Sequence, residues 1–187
     1  MFDLTILGLE NVPIDGPAII AANHTSVLDS FIVPSVLPRN ISYVGKAEYL
    51  DDWKTKHIFP ALGMIPIDRS GGDAAAAALD TAAALLDSGG LFGIYPEGTR
   101  SRTGHLYKGR TGVARLSHRT GAPIIPVGLM GMRDIQPPDA PFPKFFNAAT
   151  ISFGQPLFPD EHGDPGTNPM AFRAMTDALM FRIRHLS

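Results

Sequence analysis

The run "GGDAAAAALDTAAALLDSGGLFGIYPEGTR", residues 71–100, decides the fold. After Asp73 it is filled with Ala and Leu, which favour a helix, and the Gly89-Gly90 pair suits a C-terminal cap. The next residues, Leu91 to Tyr95, are apolar and few, as in a buried strand, and a polar turn follows them. A helix that feeds a short buried strand opening into a polar loop is the unit from which α/β sheets are built.

The pattern continues in both directions. Apolar runs rich in Ile and Val predict further strands at Leu4 to Leu9, Pro17 to Ala22, Ile41 to Gly45, Met64 to Ile67, Ile124 to Leu129 and Thr150 to Phe153. The last segment, "NPMAFRAMTDALMFRIRHLS", reads as a helix with Asn168 as N-cap and Pro169 at the first helical position. Its Phe172, Met175, Leu179, Ile183 and Leu186 recur at helical spacing, which predicts core packing rather than a membrane-binding stripe. Gln136 to Pro143 and Pro159 to Asn168 read as surface loops. With neither repeat nor linker, residues 1–187 form a single domain of the α/β class, a mixed, mostly parallel sheet flanked by helices.

Composition narrows the function. Sixteen basic and eighteen acidic side chains leave a net charge of −2, which argues against general nucleic-acid binding. The distribution is uneven, because Gly98 to Arg133 holds Arg100, Arg102, Lys108, Arg110, Arg115, Arg119 and Arg133 and no acid. That segment is either a solvated basic face or an anion site. Absence of cysteine excludes disulfides, thiolate metal sites and a cysteine nucleophile, and is compatible with a reducing, cytoplasmic setting. No apolar run is long enough to span a bilayer, and the N-terminus lacks signal-peptide order.

In α/β sheets chemistry gathers beyond the carboxyl ends of the strands. Two polar segments occupy such positions: "NHTSVLDS", residues 23–30, and "YPEGTRSRTG", residues 95–104. His24 suits a general base near neutral pH, and Asp29 suits the partner that fixes its tautomer. On one continuous helix five positions would turn the two side chains about 140° apart. They meet only if His24 lies in the turn, Ser26 caps the helix and Asp29 sits in its first turn. A serine hydrolase using Ser26 or Ser30 lacks its G-x-S-x-G elbow, and a metal site lacks further ligands nearby. The plain alternative is a helix-start carboxylate beside a loop histidine. In the second segment Gly98 allows close backbone approach, and Arg100 can grip a phosphate or carboxylate with two parallel hydrogen bonds. Glu97 can hold that guanidinium or meet a substrate hydroxyl.

Taken together, "NHTSVLD", "GKAEYL" with "GMIPIDR", "YPEGTRS" and "IIPVGL" resemble, in order and spacing over about residues 16–130, the glycerolipid acyltransferase family of the lysophosphatidic acid acyltransferase type. The resemblance implies a glycerol-phosphate acyltransferase-like fold. It implies that His24 takes the proton of an acceptor hydroxyl, that Asp29 orients His24, and that the hydroxyl attacks an acyl thioester directly without an acyl-enzyme. The donor would be acyl-CoA or acyl carrier protein, and the acceptor a lysophospholipid, in the first place 1-acylglycerol-3-phosphate giving phosphatidate. No cofactor or metal is implied. Glu97, Gly98, Thr99 and Arg100 match the acceptor-binding motif, and Lys46 and Arg69 match basic positions for the glycerol phosphate. Pro126-Val127 matches a fourth block, read here as plain core strand. A different lysolipid or polar acceptor, and a non-catalytic lipid- or acyl-binding protein of the same fold, are the alternatives.

Oxyanion donors are expected among backbone N–H groups near Gly98 or at Thr25. Lys108 is either a headgroup contact or a solvated lysine, while His57, His105, His118, His162 and His185 read as structural or surface residues. Trp53, beside Lys54 and Lys56, reads as partly buried rather than as an interfacial anchor. Many family members carry an apolar helical segment before the first motif, whereas some twenty residues precede His24 here. The expectation is therefore a cytoplasmic protein held peripherally and reversibly at the inner face of the membrane.

Overall fold

Ile19 and Ala21 face one way from their strand and Ala18, Ile20 and Ala22 the other, and all five are buried. Alternation with burial on both sides is what a central strand covered by two layers requires. The computed structural model describes residues 3–46, 63–67, 74–137, 140, 142–144, 147–166 and 168–187. Its strands are β1 (Asp3–Leu7), β2 (Ala18–Ala22), β3 (Ile41–Lys46), β4 (Met64–Ile67), β5 (Leu91–Ile94), β6 (Ile124–Met130) and β7 (Ala148–Phe153). Its helices are α1 (Asp29–Val36), α2 (Ala74–Asp87), α3 (Gly112–Thr120), α4 (Met132–Ile135) and α5 (Ala171–Leu186).

The strands form one sheet in the order β1-β7-β6-β2-β5-β3-β4. Five run parallel, β6 to β4, while β7 pairs antiparallel with β6 and β1 lies parallel to β7. One face is covered by α2, α3 and α5 through Ala82, Ala83, Leu86, Val113, Leu116, Met175, Leu179 and Ile183. The other is covered by α1 and α4 through Val33, Met132 and Ile135. The apolar stripe of α5 is thus core, and β6, which carries "IIPVGL", is buried along all but its last residue.

Element ends follow local chemistry. α2 stops where Gly89, at φ +83°, lets its own N–H reach the Leu86 carbonyl at 2.8 Å and the Gly90 N–H reach Leu85 at 3.0 Å. β1 ends two residues earlier than expected, because Gly8 takes a left-handed φ of +69° and starts a 3₁₀ turn, Leu9–Asn11. Asn168 caps a turn rather than α5 itself. Its Oδ1 accepts from Met170 N–H at 3.0 Å, Pro169 lies in that turn, and α5 begins at Ala171. Within the expected loop after Phe158, residues Pro159–His162 form a short 3₁₀ helix.

β2 and β5 are neighbours in the sheet and parallel, with Ala18 opposite Leu91 and Ala21 opposite Ile94. The two polar segments therefore leave the sheet side by side, at one edge, on adjacent strands.

Candidate active site

At the end of β2 the chain turns away, and the Asn23 side chain takes over the work of its backbone. Asn23 Nδ2 donates to the Leu129 carbonyl at 3.0 Å, and its Oδ1 accepts from Leu129 N–H at 2.7 Å, so the amide continues the β2–β6 ladder. The residues from Asn23 to Leu28 then form an irregular loop before α1.

Asp29, the first residue of α1, is fully buried and folds back under this loop. Its Oδ2 accepts three hydrogen bonds, from His24 Nδ1 at 2.8 Å, Thr25 N–H at 2.8 Å and Ser26 N–H at 2.9 Å. A carboxylate at a helix start gains from the exposed N–H groups there. The break in the helix that the five-residue spacing demanded is present. Ser26 differs from expectation, since its Oγ accepts from Leu28 N–H at 3.2 Å and caps the turn ahead of α1, whose own N-cap position is Leu28. With Nδ1–H given to Asp29, His24 offers Nε2 as the proton-accepting side, and 15% of its side chain is exposed against none of Asp29.

The loop after β5 wraps the same histidine. Glu97 is buried and accepts two backbone N–H groups, that of His24 on Oε1 at 2.9 Å and that of Tyr107 on Oε2 at 2.7 Å. Ser101 N–H donates to the His24 carbonyl at 2.7 Å, and Ser101 Oγ holds the following turn through His105 and Gly104. The Tyr95 ring lies 3.8 Å from the imidazole, tilted by 10°. Behind it the Tyr43 ring stacks at 5.9 Å, over Gly93, where a Cβ would come within 2.1 Å of that ring. Gly98, exposed and at φ +73°, lets the loop reverse with the Arg110 side chain packed against it.

Burial pushes the Glu97 carboxyl above the ordinary range, opposed by its two N–H donors and by His24. Burial likewise raises both phenols, Tyr43 and Tyr95, helped by the nearby Asp29 carboxylate. The tyrosines stay protonated at ordinary pH, so neither competes with His24 as a base.

Of the expected site residues, His24 and Asp29 touch, and Glu97 joins them through the His24 backbone N–H. Thr99 is exposed and Arg100 half-buried, one residue before the Ser101 N–H that grips His24. Lys46 ends β3, three residues beyond the Tyr43–Gly93 pairing, at the same edge of the sheet. Arg69, Trp53, Lys54, Lys56 and His57 lie outside the described residues. Of the backbone groups where oxyanion donors are expected, Thr25 N–H is given to Asp29 and Gly98 N–H to the Tyr95 carbonyl at 2.9 Å. Asn23, Tyr43, Tyr95 and Ser101 were not singled out from the sequence. The aromatic at the end of β5 and the serine inside "GTRS" were visible there, but their contacts are through space. Among the described residues no three His, Asp or Glu side chains are grouped to hold a metal ion, and no helix is long and apolar enough to cross a membrane.

The sequence profile described as Acyltransferase matches residues 3–130. The chain is 30% identical over 137 residues to the chloroplastic 1-acyl-sn-glycerol-3-phosphate acyltransferase LPAT1 of Arabidopsis thaliana, covering 73% of this chain and 38% of that one. It is 30% identical over 133 residues to the chloroplastic 1-acyl-sn-glycerol-3-phosphate acyltransferase BAT2 of Brassica napus, covering 71% and 38%. These alignments thus span well under half the length of either relative. Its fold matches the crystal structure of the 1-acyl-sn-glycerophosphate (LPA) acyltransferase PlsC from Thermotoga maritima, with a TM-score of 0.79 and 21% identity over 99% of this chain and 72% of that one.

Proposed function

The chain belongs to the acyltransferase family, and on that premise we propose that it moves a fatty acyl group from an acyl thioester to the free hydroxyl of a lysophospholipid. The acceptor of this reading is 1-acylglycerol-3-phosphate, the compound in the names of both plant relatives, and the product is phosphatidate. The donor is acyl-CoA or acyl carrier protein.

The observation that carries the reading is the 2.8 Å contact between His24 Nδ1 and Asp29 Oδ2 at the mouth of two adjacent parallel strands. Asp29 holds the Nδ1–H tautomer, so Nε2 presents its lone pair to the acceptor hydroxyl. As the hydroxyl proton passes to Nε2, the oxygen attacks the thioester carbonyl and forms a C–O bond. The C–S bond then breaks, and the imidazolium returns the proton to the departing thiolate. No step passes through an enzyme-bound acyl group, in keeping with a chain without cysteine. The buried Asp29 carboxylate favours the imidazolium in the transition state. On the acceptor side, Gly98, Thr99 and Arg100 belong to the loop next to His24, and Lys46 is the last residue of β3. Arg69 follows β4 in sequence, and the reading assigns Lys46, Arg69 and Arg100 to a phosphate monoester because their side chains are cationic.

The lipid acceptor resides in a bilayer, and the basic run from Arg100 to Arg133 suits transient contact with an anionic, cytoplasmic leaflet. Flotation with anionic vesicles at low salt should carry the protein upward and high salt should release it; absence at low salt overturns this localisation.

The test of the reaction is incubation of the purified protein with lysophosphatidate and long-chain acyl-CoA, and separately with a long-chain acylated carrier protein, following thiol release and product mass. Wild type should form phosphatidate. His24→Ala should lose on the order of 10² to 10⁴ in kcat while remaining folded. Turnover within tenfold of wild type in that variant would remove His24 as the base, and no turnover with either donor class would remove the reaction.

A further inference from the structure

Asp29 fixes one nitrogen of His24 but not the tilt of its ring, and a single hydrogen bond leaves the imidazole free to rock about that contact. A second constraint lies on the ring's face. The Tyr95 ring is 3.8 Å away and within 10° of parallel, and the Tyr43 ring backs it at 5.9 Å and 18°. The phenol of Tyr95 is tied to Ser30 Oγ at 3.1 Å, and Ser30 follows Asp29 in α1. The slab under the imidazole is therefore anchored to the helix that carries its carboxylate partner. Glycine at 93 is what admits the backing ring, since any Cβ there would overlap it.

From this geometry we propose that Tyr95 is a positioning residue for acyl transfer, acting through His24 by stacking its ring beneath the imidazole. The proposal rests on His24 being the base. The stack does two things. It holds the ring plane so that Nε2 points along one line toward the acceptor hydroxyl, and misplacement of a reacting group by about 1 Å is enough to lose roughly 10² in rate. It also sets the imidazolium on the electron-rich face of a phenol, an arrangement that favours the cation formed in the transition state. Among the described residues, the carboxylates bonded to His24 are Asp29, on Nδ1, and Glu97, on its backbone N–H; Tyr95 faces the ring as a neutral phenol, with the neutral phenol of Tyr43 stacked against Tyr95. The hydroxyl of Tyr95 adds a tie to Ser30 but takes no part in the chemistry, and the ring remains held between His24 and Tyr43 without it, so a phenylalanine should serve in its place.

The experiment compares wild type, Tyr95→Phe, Tyr95→Met and Tyr95→Leu. The two aliphatic variants fill the slot without a π face and guard against either one failing to fold, which thermal unfolding reports. Steady-state kinetics give kcat and KM for donor and acceptor. Separately, proton titration of the ¹⁵N-labelled His24 ring by NMR, its signal identified with His24→Ala, reads the imidazole with no reaction required. The phenylalanine variant should keep kcat within about threefold and the ring's titration midpoint unchanged. The aliphatic variants should lose about 10² in kcat with both KM values within about twofold. Their ring should titrate about half a unit lower. A folded aliphatic variant with wild-type kcat and midpoint overturns the proposal, as does a phenylalanine variant that loses as much as the aliphatic ones. Should wild type transfer no acyl group, the reaction reading falls while the NMR arm still decides whether Tyr95 governs His24.

Discussion

Asp29→Asn would separate the charge of the carboxylate from its hydrogen bonds. Three donors converge on Oδ2, whereas Oδ1 is buried with no partner among the described residues. An asparagine whose amide oxygen stands where Oδ2 stood keeps all three contacts and puts its NH₂ in the unpartnered position. The loop and the His24 tautomer survive, and the cost is one buried amide without an acceptor, about 1–3 kcal/mol. For a chain of this size that lowers Tm by roughly 2–12 °C. What disappears is attraction between carboxylate and imidazolium. With charge centres about 4 Å apart and an effective dielectric near 20, it amounts to about 4 kcal/mol. At 1.36 kcal/mol per decade, kcat should fall by roughly 10³, with both KM values little changed because the imidazolium exists only once the proton has moved. Steady-state kinetics and a thermal melt test this together. A folded variant with kcat within tenfold of wild type would refute the electrostatic role, and a Tm drop beyond about 20 °C would refute the hydrogen-bond account.

Glu97→Gln keeps one acceptor and turns the other into a donor facing a backbone N–H, so it should cost about 1–3 kcal/mol in urea unfolding. It should lower kcat while leaving the acceptor KM within about twofold, because the loss falls on the His24 backbone; a rise in acceptor KM with stability intact would return Glu97 to direct acceptor binding. Gly93→Ala drives a Cβ into the Tyr43 ring and should cost about 1–3 kcal/mol, an unchanged melt showing that the ring moves aside freely. The raised phenols of Tyr43 and Tyr95 hold their protons in the folded chain at a pH where the unfolded chain releases them. Their contribution to stability is complete below the ordinary value of 10.0 and is lost as pH rises through the folded value. Ultraviolet titration should therefore show two tyrosines resisting ionisation until the protein unfolds, and four tyrosines ionising together near 10 would contradict it.

Much of the fold could be read from periodicity. Every expected strand is present, with ends displaced by at most two residues, because each is a short apolar run bounded by turn residues. The places that differ are those where a side chain or a glycine overrides the run. Gly8 cuts β1 short, and Asn168 spends its carbonyl on a turn ahead of α5. His24 and Asp29 were legible because both lie in one segment and their spacing carries a geometric condition, a broken helix, that the structure meets. Glu97 was legible as a site residue but not as a clamp, since its partners are main-chain groups of residues 73 positions before and 10 after it. Tyr95 and Ser101 were hidden for the same reason. Their effect on His24 arises from strand order, β5 beside β2, which no local pattern contains.

The Asn23 amide, bonded to both backbone groups of Leu129, also works as a gauge of chain length. It stops the count of β2 at a fixed station, and His24 begins one residue later. A residue inserted or removed between Ala22 and Asp29 would dislodge either that station or the carboxylate, and so unseat the base entirely. The same holds from Tyr95 to Ser101, where ring, carboxyl and N–H meet His24 at three successive points. Variation in loop length within this lineage should therefore spare those two windows and gather elsewhere. An aligned set of descendants would show them as two ungapped rulers laid side by side.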